Sequence, residues 1–292
     1  MAGHETFMLG PLGYMLDLPS PSARAGVNAP QNRYGGVFES ATGKKTVDVL
    51  GSRRKWEFNW VNLAKNQDSL LRAFWLQTAM QSLRFIDPFA DNLLTPDASS
   101  GGSTSKTSDS FTKTAGTSLG PIAITTPVLA DILVPFISHA QQWVMPASTV
   151  GQLWADDNAY FRIPIRDTRP LYLKWLATGS GTVHAAVKPY NKAGSSLTVQ
   201  TGSGVALDAT WKAITYTYTP TASSHYSFSA GLTLDSSAGI KTILLTAGQV
   251  NDVSGVDWSL GEGVGPVIIT SYDPTYSHYT RKYTTKFIVE EG

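Results

Sequence analysis

The chain has no cysteine among its 292 residues, which excludes disulfides, thiolate nucleophiles and thiolate metal sites and suits folding in a reducing compartment. Charge is scarce as well. Asp, Glu, Lys and Arg make up 15% of the residues, against roughly 25% in ordinary soluble domains. The net charge of +1 supplies no overall field for nucleic acid or an anionic membrane, and the short clusters Lys44-Lys45 and Arg53-Arg54-Lys55 read as solvated strand ends. Long hydrophobic runs are missing too. The longest, Val128 to Ile137, carries Asp131 and Pro135 and falls far short of the roughly 20 residues a helix needs to cross a bilayer. The opening MAGHETFMLGPLG lacks the basic start and apolar core of a secretory signal. The expectation is a soluble protein made in the cytoplasm, with no membrane insertion and no recognition of nucleic-acid sequence.

Catalytic signatures are equally sparse. There is no GxSxG, no SxxK and no GxxxxGK[ST], so acyl-transfer and P-loop chemistry lack their parts. The histidines His4, His139, His184, His225 and His278 are scattered, with no HxH or HxxxH spacing to put two imidazoles on one metal. The run Gly261-Glu262-Gly263-Val264-Gly265 leads into strand-like Val267-Ile268-Ile269 rather than the helix a phosphate cradle needs. Asp156-Asp157-Asn158, Asp252 and Asp257 offer hard oxygens for calcium, but no DxDxDG array is present and Asx turns are the favoured reading. Glu262 with a nearby aspartate is a weak signal for a glycosidase pair. No enzyme activity, cofactor or bound metal is expected.

What is present is strand-and-turn sequence around one strand–helix–strand unit, Arg53 to Pro96. Trp56, Phe58 and Trp60 alternate with Lys55, Glu57 and Asn59, the mark of a half-buried strand. From about Asn66 the period changes to three and four, and Leu70, Leu71, Phe74, Trp75 and Ala79 form one helical stripe, with Asn66 or Asp68 as its cap. The chain is extended again through Leu83, Phe85 and Ile86 until Asp87-Pro88 stops it. Trp56, Phe58, Trp60, Phe74, Trp75 and Phe85 are the candidates for core and assembly. Upstream, residues 1–20 predict one or two strands, Pro19 to Pro30 a surface excursion, and Val37-Phe38 with Val47-Asp48-Val49 a hairpin around Ala41-Thr42-Gly43-Lys44.

Asp97 to Ser110, DASSGGSTSKTSDS, is polar throughout and reads as a linker. Beyond it come short alternating segments: Leu171/Leu173/Trp175, Val183/Ala185/Val187, Ile214/Tyr216/Tyr218 and Tyr226/Phe228/Ala230/Leu232/Leu234. Their spacing predicts an antiparallel sandwich of jelly-roll type. Trp143, Trp154 and Trp258 sit in turn-rich stretches, where a flat ring can stack on a sugar; the competing reading is that they cover the edge of the core. Val267 to Thr270 and Tyr283 to Val289 read as closing strands joined by the aromatic loop Tyr272 to Tyr276. The predicted organisation is a base domain over 1–96, a linker over 97–110 and a jelly-roll domain over 111–272, with a return strand at about 273–292.

Two stretches carry a family resemblance. RFIDPFADNLLTP, with the Trp-rich strand and helix before it, and WSLGEGVGPVIIT, followed by a Tyr-rich run to TTKFIVEEG, resemble the two ends of minor tail or distal tail proteins of long-tailed phages, those of actinobacteria in particular. The match covers about the first 96 and the last 35 residues. It implies a mainly-β protein: a tail-tube-like β-barrel or sandwich with one helix, closed by the last strand, carrying an outward carbohydrate-binding-like sandwich. It further implies a virion location at the tail tip and assembly in the host cytoplasm as a hexameric or trimeric ring. The implied partners are copies of itself, the tail tube, the tape measure and the baseplate or hub, with host cell-wall glycan as the outward contact. The alternative is a soluble glycan-binding module outside any virion.

Overall fold

The computed structural model describes residues 6–21, 26–39, 45–78, 82–102, 111–124, 128–129, 132–133, 137–165, 167–221, 223–236, 238–255 and 257–292, with the backbone alone at 31–39, 45–52, 118–120, 128–129 and 132–133. The fold is mainly β, with two helices among the described residues, and divides into two compact units. A base unit holds Thr6–Pro11, Leu16–Phe85 and Pro266–Gly292; a sandwich unit holds Leu12–Met15 and Ile86–Gly265.

The base is built on the strand Lys45–Leu63. Its first half pairs with Gln31–Glu39, Val37 opposite Val47; the predicted turn at Ala41 to Lys44 lies outside the described residues. Its second half pairs with Lys282–Glu291, Phe58 opposite Phe287 and Trp56 opposite Val289. Lys282–Glu291 in turn pairs with Pro266–Ser277, and the sheet continues through Leu83–Ile86 and Met8–Pro11 to Leu16–Asp17. Alternation puts Trp56, Phe58 and Trp60 on one face, all buried. Phe58 stacks on Trp60 at 5.1 Å between ring centroids and meets Phe7 edge-on at 5.0 Å, while Trp56 lies 4.5 Å from buried Phe85. The Trp60 indole N–H donates to the Pro19 carbonyl at 2.9 Å, so the largest ring leaves no orphaned donor.

The helix Lys65–Gln77 lays Leu71 and Phe74 on this aromatic layer. Trp75, assigned to the buried stripe from its spacing, is 38% exposed. At about 100° per residue one stripe cannot hold both 74 and 75, and Phe74 takes the inward place; Ala79 lies outside the described residues. The N-cap is Ala64, whose N–H donates to the Gln67 side chain at 2.9 Å, rather than Asn66 or Asp68. Asp68 is instead buried, one carboxylate oxygen accepting from Tyr272 Oη and the other from Thr285 Oγ1, both at 2.9 Å. Burial and the Asp68 carboxylate push the Tyr272 phenol well above its usual range. The stretch read as an aromatic loop, Tyr272 to Tyr276, is strand: Pro274 stands opposite Thr285 and the turn comes at 278–281. Proline is tolerated because at this level the strand is an edge, paired on one side only.

Two sheets make the sandwich. A five-stranded sheet runs Lys212–Tyr218, Leu171–Gly179, Lys241–Asn251, His139–Met145, Thr117–Ala123, and the facing sheet is led by Gly181–Tyr190, Ser227–Leu234, Gly151–Ala155 and Phe111–Lys113. From His139–Met145 onward, successive long strands alternate between the sheets, the jelly-roll arrangement. Leu173, Trp175, Ile214 and Val250 from one sheet meet Val183, Ala185, Phe228 and Leu232 from the other in one core.

The boundaries differ from those read in the sequence. The base ends at Phe85 rather than residue 96, and resumes at Pro266 rather than 273. Leu93, Leu94 and Ala98 pack into the sandwich core. The start of the presumed linker is a short helix, Pro96–Ser99, capped by Thr95, whose Oγ1 accepts from the Ala98 N–H. Ser99 and Ser100 are buried because their hydroxyls turn back to the Pro96 carbonyl at 3.0 and 2.7 Å; polar composition hid their fit. Residues 103–110 of that stretch lie outside the described residues.

Phe74→Ala is expected to destabilise the base by about 3–5 kcal/mol and Trp75→Ala by less than about 1 kcal/mol in urea titrations. Equal losses would put Trp75 back in the core.

Candidate functional site

Leu171–Gly179 lies one strand in from the edge of the five-stranded sheet, with Lys212–Tyr218 on one side and Lys241–Asn251 on the other. Leu171, Leu173 and Trp175 point into the core, so Tyr172 and Lys174 point out. Register then aligns outward partners: Tyr172 stands opposite Thr217 and Asn251, and Lys174 opposite Thr215 and Gln249. The outer face there is a groove of about 410 Å³ that these side chains line together with Val253, Gly255 and Asp257, a volume in the range of small-ligand sites. Val253 and Asp257 are held in place: Gln249 Nε2 donates to the Asp257 carbonyl at 3.0 Å and Asn251 Oδ1 accepts from the Val253 N–H at 3.3 Å. The polar lining is therefore the phenols of Tyr172 and Tyr216, the Lys174 ammonium, the amides of Gln249 and Asn251, the hydroxyls of Thr215 and Thr217 and, at the rim, the Asp257 carboxylate. That array suits a ligand dense in hydroxyls.

The tryptophans chosen from sequence as sugar platforms do not line this groove. Trp143 is fully buried in the core, its indole N–H donating to the Ala115 carbonyl at 3.0 Å. Trp154, 1% exposed, lies on the outer face of the other sheet over Gly231, where any side chain would strike it. Neither can stack on a sugar. Trp258 is half-buried and packs against the cluster of Ile137, Leu176 and Ala247, while its N–H reaches the Gly248 and Ser99 carbonyls, both at 3.2 Å.

Of the aspartates weighed for calcium, Asp156 and Asp157 serve separate internal tasks, and Asp257 is exposed. Asp157 accepts from the Tyr190 hydroxyl, from Ser229 Oγ at 2.8 Å and from Lys188 Nζ at 2.8 Å. Burial pushes its carboxyl up, but these bonds outweigh burial and hold it below the usual range. Arg162 lies 3.4 Å over the Tyr190 ring and closes that network. Asp156 is buried, with its oxygens accepting from Thr95 N–H at 2.9 Å and Thr95 Oγ1 at 2.8 Å. Burial raises its carboxyl to about 7 against those two bonds. Asn158 forms an Asx turn, its Oδ1 accepting from the Tyr160 N–H at 2.8 Å. Among the described residues no three acidic or histidine side chains gather as a metal site would require. Glu262 is tied through its backbone to the Asn92 carbonyl at 3.0 Å and lies outside the groove lining.

Sequence reasoning missed Tyr172, Lys174, Gln249 and Asn251. The first two were within reach, since the alternation that buries Leu171, Leu173 and Trp175 turns them outward. Gln249 and Asn251 join them through a register that skips a residue between Lys174 and Leu176, which no local pattern announces.

No protein-family model and no curated protein matches the chain. Several solved structures are similar. The enzymatically active domain of tailspike protein 4 from bacteriophage CBA120 aligns over 56% of this chain and 22% of its own, at 12% identity and a TM-score of 0.39; the chain thus spans about a fifth of that protein. The CBM22-1 xylan-binding domain of Paenibacillus barcinonensis Xyn10C aligns over 57% of this chain and 97% of its own, at 12% identity and 0.38. The N-terminal cellulose-binding domain of Cellulomonas fimi β-1,4-glucanase C aligns over 43% and 86%, at 16% and 0.31.

Asp156 makes stability depend on pH. Its folded value of about 7 lies above the ordinary 3.8, so the folded state holds the proton more tightly, and the stabilisation present below about pH 4 is lost as pH rises toward 7. Urea titrations of the sandwich should show this decline, and Asp156→Asn should flatten it. An identical pH profile in the variant would contradict the assignment.

Proposed function

We propose that the chain is a glycan-binding structural protein, in which the sandwich takes a saccharide chain along the outer face of its five-stranded sheet and the base unit makes the assembly contacts. The groove carries the first half of this reading. A phenol ring beside amides, hydroxyls and an ammonium matches the chemistry of a sugar, which presents an apolar ring face and a rim of donors and acceptors. Binding without turnover is the reading proposed for this site.

The setting rests on the two motif stretches that resemble distal and minor tail proteins. In that setting the protein is a virion component of the phage tail tip. Copies of the base form a ring on the tail tube, next to the tape measure and hub proteins, and the sandwich meets host cell-wall glycan. A ring repeats one contact head to tail around an axis, and class averages of negatively stained protein should show three-fold or six-fold symmetry. Isolated particles at every concentration, with and without tail tube, would remove the ring.

For the groove itself, Tyr172→Ala should weaken retention on host cell-wall polysaccharide about five- to tenfold, the loss of one aromatic stacking contact. Its urea midpoint should stay close to that of the wild type. Unchanged retention would take Tyr172 out of the site and leave the groove without its platform.

A further inference from the structure

We propose that the groove selects an anionic saccharide, a chain bearing carboxylate or phosphate groups, and that Lys174 is the residue that reads the charge. The inference rests on the groove being the glycan site. Lys174 is half-buried at the middle of the groove floor, and its neighbours in register, Thr215 and Gln249, are neutral. It makes no ion pair or hydrogen bond with any described residue.

Two other half-buried lysines of the sandwich are matched, while Lys241, also half-buried, forms no ion pair among the described residues. Lys188 sits 2.8 Å from the Asp157 carboxylate and Lys212 sits 2.6 Å from that of Asp208. The acidic member of the groove lining, Asp257, is exposed on the rim and forms no ion pair with Lys174. A partly desolvated ammonium without a counter-charge is a cost to the folded chain, and a ligand anion arriving at the floor removes it. A hydroxyl accepts a bond from Lys174 but brings no counter-charge, whereas a carboxylate or phosphate accepts the bond and adds the attraction of opposite charges. The preference is therefore set by the floor, and the exposed rim charge, screened by water and salt, offsets little of it.

The test uses the full chain in affinity electrophoresis and calorimetry against three polymers: polygalacturonate for carboxylate, glycerol-phosphate teichoic acid for phosphate, and neutral dextran. The wild type should bind one of the anionic polymers at least about tenfold more tightly than dextran, and that margin should shrink on raising the salt. Lys174→Met keeps the length and apolar stem of the side chain, and should lose about tenfold or more on the anionic polymer with its thermal midpoint unchanged. Lys174→Arg should keep most of the affinity. Which of the two anionic polymers wins identifies the source of the charge.

Binding of dextran as tightly as the anionic polymers, or an anionic affinity within twofold of wild type in Lys174→Met, overturns the proposal. A neutral polymer that binds and is lost in Tyr172→Ala while Lys174→Met is silent would refute the charge preference and leave the glycan groove standing. Failure of the wild type to bind any carbohydrate, neutral or charged, would refute both.

Discussion

The two-sidedness of one strand, Leu171–Gly179, governs the sandwich half of this protein. Its inward residues Leu173 and Trp175 lie in the core that joins the two sheets, so Tyr172 and Lys174 have no freedom over the face they occupy. Flanking strands on both sides fix what stands beside them: Thr215 and Thr217 on one edge, Gln249 and Asn251 on the other. A one-residue slip of register would send Tyr172 and Lys174 into the core and expose Leu173 and Trp175, a change that burial forbids. The groove is thus held in place by the same hydrophobic term that holds the sandwich together.

The base unit rests on a comparable constraint, met differently. Its aromatic layer of Trp56, Phe58, Trp60 and Phe85 is completed by Phe287 and Val289 from the last strand, so the beginning and end of the chain form one sheet and residues 86–265 are an insertion in sequence. Polar bonds reinforce the closure. Asp68 gives the helix one hydrogen bond to each arm of the C-terminal hairpin. Arg54 holds Glu291 through its Nε at 2.7 Å, and its backbone N–H reaches the other carboxylate oxygen at 2.8 Å. Leaving a buried carboxylate such as Asp68 without both partners would cost more than either bond contributes, which makes that position sensitive to its distant neighbours.

Much of this architecture was legible locally. The alternation around Trp56 and along Leu171 to Trp175 shows which faces are buried, and the mainly-β, jelly-roll character follows from the many short alternating runs. Single helical positions were less legible. Phe74 and Trp75 are equally apolar, and only the angle between them, set by the sheet below, decides which is buried. Trp143 and Trp154 looked available because turn residues flank them, yet one fills the core and the other is sealed on the far sheet. Size drove both inward. The polar run after residue 96 concealed a packed helix because serine hydroxyls can be satisfied by the turn that precedes them. The groove needed non-local information: two of its amides arrive from a strand some 75 positions further on in sequence, through an irregular register.

The most direct measurement of the central claim is backbone amide mapping by NMR on the full chain, titrated with fragments of host cell-wall polysaccharide. The account predicts that the shifts concentrate at 172–174, 215–217 and 249–257, the outer face of the five-stranded sheet. Shifts confined to the opposite sheet around Trp154 and Lys188, or no saturable shifts with any fragment, would contradict it.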